Sequence, residues 1–207
     1  MKKVIIIGAS GFGKEAAWVM ERMSQAGQHV NLLGFCDDAP DKQEGLFVGV
    51  PLLGTVEAAA ARLPGARFFC AIGNNHARKA LVARAMAVGL LPFTLVDPTA
   101  ILAPGTTIGD GSYLGMNSIV SVNSRIGNHV IVNHQTCLGH DVTLADFVQI
   151  CPGARISGGC EIGEGALLGT NAATIPLIQI GAWSTLGAGT TAFTNIPPHT
   201  THVRLRG

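Results

Sequence analysis

Hydrophobic positions run in two rhythms along this chain. In the first, apolar runs at 3–7, 30–36 and 67–72 are rich in Ile, Val, Leu and Phe and end at glycine or aspartate, which predicts three strands. Between them, residues 14–23 place Ala17, Met20 and Met23 at helical spacing, and the Ala-rich 55–62 and the segment 76–88 predict two more helices. Thr55 stands where it can cap the second helix and Gly89 where it can stop the third. Residues 90–96 form a last extended stretch. Alternating strands and helices predict a parallel sheet covered by helices.

The second rhythm has period six. From Leu102 the series Leu102, Ile108, Leu114, Val120, Ile126, Val132, Leu138, Leu144, Ile150, Ile156, Ile162, Leu168, Thr174, Ile180, Leu186 is Ile, Leu or Val at fourteen of fifteen positions, and only Thr174 breaks the rule. The residue after each is Gly, Ala, Ser or Cys except at Asn133 and Ile175, and the residue two before is always small or aliphatic. No helix has period six, and a plain strand has period two. A fixed hexapeptide period marks a parallel β-helix in which each aliphatic points inward and the small residue fits the corner.

Charge and composition follow this division. The chain has 207 residues, of which only 13% are charged and 5% aromatic, so Ile, Leu, Val and Ala must fill the core. All five lysines lie at or before Lys79, and between Pro98 and Val203 there are two arginines (Arg125, Arg155) and five acids. The shift predicts an α/β domain over 1–96 and a repeat domain over 97–207. A net charge of +1 gives no field that would draw nucleic acid or an anionic membrane. No run of 18 apolar residues offers a membrane span, and the four-residue apolar run at the start is too short for a secretion signal. Five cysteines, without metal-type spacing, fit reduced thiols in the cytoplasm and no bound metal.

Three loops leave the carboxyl ends of the predicted strands: Gly8-Ala9-Ser10-Gly11-Phe12-Gly13, Asp37-Asp38 and Gly73-Asn74-Asn75. Ligands of parallel sheets bind at such ends. The first loop offers backbone N–H groups and a helix start to a phosphate, and the second offers carboxylates to a ribose hydroxyl or a base N–H. Ser10, Gly11, Phe12, Asp37, Asp38 and Gly73 are therefore candidates for binding a nucleotide. The first loop is GxxGxG and not the dinucleotide GxGxxG, and glycines that merely permit a tight turn are the plainer alternative.

The repeat, together with Phe35-Cys36-Asp37-Asp38, Ala71-Ile72-Gly73-Asn74-Asn75, Gly139-His140-Asp141, Asp146-Phe147-Val148 and Leu168-Gly169-Thr170-Asn171, resembles the hexapeptide-repeat, left-handed β-helix acyltransferases. The similarity is specifically to bacterial acetyltransferases of nucleotide-linked amino sugars and of sialic acid, and it covers nearly the whole chain. It implies a Rossmann-like α/β domain with a parallel sheet, followed by a left-handed β-helix with three hexapeptides per 18-residue coil. Leu102 to Leu186 would then make nearly five coils, about 23 Å tall at strand spacing.

The resemblance implies acetyl-CoA as cosubstrate and places the family's catalytic histidine at His140, with Asp141 beside it to orient and stabilise the ring. It puts cofactor contacts at Gln149, Thr170 and Ala188. Some relatives carry histidine where this chain has Gln149, which can bond a carbonyl but cannot act as a second base. The 18-residue period adds Gly158, one coil beyond His140, where bare backbone would admit a pantetheine arm. His134 sits at the same hexapeptide phase as His140 but lacks an acidic neighbour. Cys151 and Cys160 occupy small-residue positions, so direct attack is expected and not an acyl-enzyme.

Two closely related activities fit these residues: N-acetylation of a nucleotide-linked amino sugar, and O-acetylation of sialic acid or a related sugar. A non-catalytic oligomeric scaffold is the rival of a different class. An NAD-dependent oxidoreductase lacks support, since the only tyrosine, Tyr113, lies in the repeat and no lysine follows Lys79. A repeat surface this poor in charge, with one convex face unable to enclose a substrate, predicts a homotrimer with sites between neighbouring prisms, the arrangement in the family. The basic end carrying Arg204 and Arg206 could meet coenzyme A phosphates or stand in solvent.

Overall fold

Three consecutive isoleucines, Ile5 to Ile7, sit at the centre of the amino-terminal sheet, and none is more than 2% exposed. They belong to β1 (Lys2–Ile7), which is buried from Val4 onward. The computed structural model describes residues 2–38 and 49–203, which divide into two units, Met1–Pro98 and Thr99–Gly207. Arg204 and Arg206 lie outside the described residues.

In the first unit β1 is flanked by β2 (Val30–Cys36) and β3 (Arg67–Cys70), with β4 (Leu91–Pro92) beyond β3, in a parallel sheet of order β2-β1-β3-β4. The helices are α1 (Gly11–Gln25), α2 (Val56–Arg62) and α3 (Asn75–Ala87). Thr55 caps α2 through Ala58 N–H at 3.2 Å, as its position suggests, and Asn74 caps α3 through Ala77 N–H at 2.9 Å. Gly89, at φ +80°, ends α3 with the paired bonds Gly89 N–H to Met86 O and Leu90 N–H to Ala85 O that only a left-handed residue permits. Helix α1 begins at Gly11, three residues earlier than the hydrophobic spacing indicates. Glycine is a poor helix former, but Gly13 must be there, because a Cβ at Gly13 would collide with the Gly8 carbonyl oxygen.

The second unit converts each hexapeptide into a two-residue strand. Every strand from Ile101–Leu102 to Ala173–Thr174 pairs in parallel with the strand 18 residues on, as in Cys137↔Arg155 and Ile131↔Gln149. Three ladders result, so the unit is a left-handed parallel β-helix of about six turns. It continues past Leu186, where the sequence pattern fades, and the last turn is two residues short, with Thr185 opposite Thr201. From Leu114 onward the inward aliphatics are buried, while Leu102 on the first coil is 38% exposed, and several hydroxyls among the small residues between them are bonded across coils. Ser124 Oγ, for example, accepts from Val142 N–H at 3.2 Å and donates to Gly139 O at 2.9 Å.

One local expectation is corrected. The small residue after each aliphatic does not make the corner. The left-handed backbone falls two residues later, at Asn117, Asn123, His129, Gln135, Asp141 and their counterparts. Smallness at Gly139 has another cause: a Cβ there would stand 2.6 Å from the backbone nitrogen of Gly158 on the next coil. Close approach of coils requires it, while Asn and Asp at the corner tolerate positive φ better than most residues.

Candidate active site

Asp141 owes its orientation to the corner. With φ at +57°, it turns its carboxylate back along the chain, and Oδ2 lies 2.7 Å from Nδ1 of His140. Its carboxyl is held below the ordinary carboxylate range, first by this hydrogen bond and then by one from Asn123, one coil earlier in the same column. The ionised carboxylate accepts from Nδ1–H, which leaves the Nε2 lone pair available to a proton donor. The ring lies over Gly158: a Cβ on that residue would be 2.5 Å from Nε2 and 2.7 Å from Cε1. His140 thus meets bare backbone on the next coil. Both partners remain open, with 66% of the His140 side chain and 56% of the Asp141 side chain exposed.

The other expected cofactor residues occupy a different corner. Pro152, Thr170 and Ala188 follow His134 at 18-residue steps. The column is tied by Asn171 N–H to Pro152 O at 3.0 Å and Gly189 N–H to Thr170 O at 2.8 Å. Thr170 and Ala188 are exposed. The His140–Gly158 column is one hexapeptide further round. A single prism therefore brings His140 to Gly158 and Thr170 to Ala188, but does not bring these pairs together. The interval from His140 to Thr170, 30 residues, is not a multiple of 18, and that arithmetic is the signal the sequence reasoning missed. Gln149 lies on the strand Gln149–Ile150, half-buried, with its amide nitrogen 3.8 Å from Cys151 Sγ. Burial raises the Cys151 thiol, so that it is not a ready nucleophile.

In the first unit, the carboxyl ends of β1, β2 and β3 enclose a cavity of about 120 Å³ lined by residues including Gly8, Asp37, Asp38 and Ile72. Asp37 Oδ2 accepts from Ala9 N–H at 2.9 Å, joining the end of β2 to the glycine loop. Asp38 is held by Arg84 of α3 at 2.7 Å, and the same guanidinium grips both oxygens of Glu57 at 3.0 Å. Arg84 lies 46 residues from Asp38, and no motif announces it. The glycines divide in two. Gly8, at φ +102°, and Gly13 are required by the turn and by packing, whereas Gly11 and Gly73 have nothing within 4 Å of an added Cβ. The tight-turn alternative therefore accounts for the first pair and not the second, where the backbone is open to its surroundings. Ser10 is exposed and makes no side-chain cap, and Phe12 packs edge-on against Phe69 at 5.9 Å.

Among the described residues, no cluster of three His, Cys, Asp or Glu could hold a metal ion, and no helix is long and apolar enough to cross a membrane.

The family described as the PglD N-terminal domain matches residues 3–85. No curated protein matches the chain. The acetyltransferase domain of PglB from Neisseria gonorrhoeae FA1090, solved in complex with acetyl coenzyme A, is 32% identical over 98% of this chain and 96% of that one, with a TM-score of 0.85. A perosamine N-acetyltransferase from Caulobacter crescentus, solved as a histidine-to-asparagine variant with CoA and GDP-perosamine, is 26% identical over 100% of this chain and 98% of its own, with a TM-score of 0.87. WeeI from Acinetobacter baumannii AYE is 25% identical over 99% and 97%, also with a TM-score of 0.87.

Proposed function

The chain belongs to the bacterial sugar acetyltransferases with a hexapeptide-repeat β-helix, and from that premise we propose that it transfers the acetyl group of acetyl-CoA to the amino group of a nucleotide-linked amino sugar. The observation that carries the chemistry is His140 bonded to Asp141 through Nδ1 and lying over the Gly158 backbone. The amine lone pair attacks the thioester carbonyl, a C–N bond forms and the C–S bond breaks. His140 Nε2 takes the proton the nitrogen must lose, and that proton leaves with the coenzyme A thiol. Asp141 holds the ring and offsets the charge it acquires. The donor assigned to the acetyl carbonyl is Gly158 N–H, since the neighbouring Gly159 N–H is already bonded to His140 O at 2.9 Å. The nucleotide goes to the cavity of the first unit, with Gly11 and Gly73 admitting its phosphates and Asp37 its hydroxyl or base donors. The relative solved with GDP-perosamine is an N-acetyltransferase, which favours an amine acceptor over the hydroxyl of sialic acid.

The working form is a homotrimer. The separation of the His140 and Thr170 columns on different corners supports it, because a second prism can set its Thr170 and Ala188 corner opposite the first prism's base. Acetyl-CoA and nucleotide sugars are cytoplasmic metabolites, and the enzyme acts there.

The test is release of coenzyme A thiol on mixing the protein with acetyl-CoA and nucleotide-linked amino sugars, with sialic acid in parallel. Turnover with the amino sugar is expected to fall by roughly 10²–10⁴ in His140→Ala, the scale for losing a general base. A folded His140→Ala protein with near-wild-type turnover removes His140 from the mechanism.

A further inference from the structure

Thr174 is the one polar residue in the inward series, and the structure places it at a break in the ladder. On the neighbouring rungs of the same face, the N–H after the inward residue bonds to the inward carbonyl of the next coil: Gly139 N–H to Ile156 O at 2.7 Å, and Ile175 N–H to Ala192 O at 3.2 Å. Between these rungs the rule changes. Ser157 N–H bonds instead to the Thr174 hydroxyl at 3.0 Å, and the Thr174 carbonyl accepts from the Ser157 hydroxyl at 2.6 Å. Register pairing between these strands is kept only at Arg155↔Ala173. Cys160 Sγ lies 3.2 Å from the Thr174 hydroxyl and 3.3 Å from Ile175 O, closing a polar cluster around the one inward position that is not aliphatic.

The break adjoins the chemistry. Ser157 precedes Gly158, whose backbone lies under the His140 ring. A further departure from the repeat follows at once: bulky Ile175 at a small-residue position. A repeat that breaks two of its own rules at adjacent residues, against its core preference, is the expected signature of a functional constraint.

We propose that the Thr174–Ser157 hydroxyl pair acts as a spacer that sets the position of the Gly158 peptide relative to His140, making both positioning residues for acetyl transfer. The inference rests on His140 as the base. A peptide misplaced by about 1 Å at a reacting centre costs up to about 10²-fold in rate.

The experiment compares Thr174→Val, Thr174→Ser and Ser157→Ala with wild type and His140→Ala, reading kcat, both KM values and thermal midpoint. Valine restores the inward aliphatic rule, so Thr174→Val is expected to melt no lower than wild type. Its kcat is expected to fall by about 10- to 100-fold with the nucleotide-sugar KM unchanged, and Thr174→Ser, which keeps the hydroxyl, to recover most of the rate. Wild-type kcat in folded Thr174→Val overturns the proposal, as does a loss that serine fails to rescue. Should Thr174→Val not fold, Ser157→Ala carries the same expectation for kcat and the same refutation. A fully active His140→Ala protein is a separate outcome, which overturns the base assignment and the spacer role with it.

Discussion

Nδ1 of His140 and Oδ2 of Asp141 stand 2.7 Å apart on a convex corner with more than half of each side chain in solvent. A pair so open has its geometry fixed by the backbone turn, not by surrounding walls, and this governs how it answers to pH and to substitution.

The Asp141 carboxyl titrates below the ordinary carboxylate range because the ionised form is bonded to His140 and Asn123. A depressed value means that the stabilisation is complete above the ordinary carboxylate pKa and is lost as pH falls through the lowered one. Asp141 therefore stays charged throughout the neutral range, and an acid limb there belongs to another group. Asp141→Asn is expected to lower the kcat plateau, by at most the roughly 10⁴-fold known when such a partner loses its charge, while the limb persists. A pH–rate profile whose acid limb vanishes in Asp141→Asn contradicts this.

Gly158 and Gly139 should respond oppositely to alanine. At Gly158 the new methyl meets the free end of an exposed ring, 2.5 Å from Nε2, and the ring can swing away. Stability is expected to hold while kcat drops by about 10²-fold through lost alignment. At Gly139 the methyl meets Gly158 N at 2.6 Å and Ser157 C at 2.9 Å, backbone that cannot yield. Gly139→Ala is expected to destabilise by about 1–3 kcal/mol. Chemical denaturation and steady-state kinetics on both variants separate the two effects, and equal losses of stability would refute the contrast.

Asp37 ties the end of β2 to Ala9 in the glycine loop. Asp37→Ala is expected to weaken nucleotide binding about tenfold, the scale of losing one charge-assisted hydrogen bond. The acetyl-CoA KM should not change. Calorimetric titration with the nucleotide moiety alone measures this directly, and unaltered affinity removes Asp37 from the site.

Assembly is tested by mass. Light scattering at micromolar concentration is expected to give three times the 21.4 kDa of one chain. Mixing inactive His140→Ala chains with inactive chains altered at Thr170 and Ala188 should then restore part of the activity, because some interfaces pair one intact corner with the other. A mass near that of one chain defeats the expectation.

The interior of the repeat was legible because burial acts alike on successive coils: a period of six names each inward residue that is buried from Leu114 to Leu186. The corners were not, because the cue sought was smallness, and positive φ at Asp141, Phe147 and Leu177 is imposed by the closed ladders and not by local preference. In the first unit, caps such as Thr55 and stops such as Gly89 act within a few residues and are readable. The clamp of Arg84 on Asp38 and Glu57 joins distant segments, and only the folded sheet brings them together. His140 and Asp141 were legible as neighbours; what lay under them needed the 18-residue step.

That step makes the second unit an address system in which a residue's corner is its number modulo 18. Removing one whole coil downstream of the site would return every later side chain to its former corner. Removing a single hexapeptide would keep every aliphatic pointing inward, so the core would register little, yet all later residues would be carried a third of a turn round the axis. Thr170 and Ala188 would then stand in the Asp146–Glu164 column, whereas an inserted hexapeptide would carry them into the His140 column. Core packing reads the sequence modulo six and catalysis reads it modulo eighteen, so insertions and deletions of six are silent to the first and ruinous to the second.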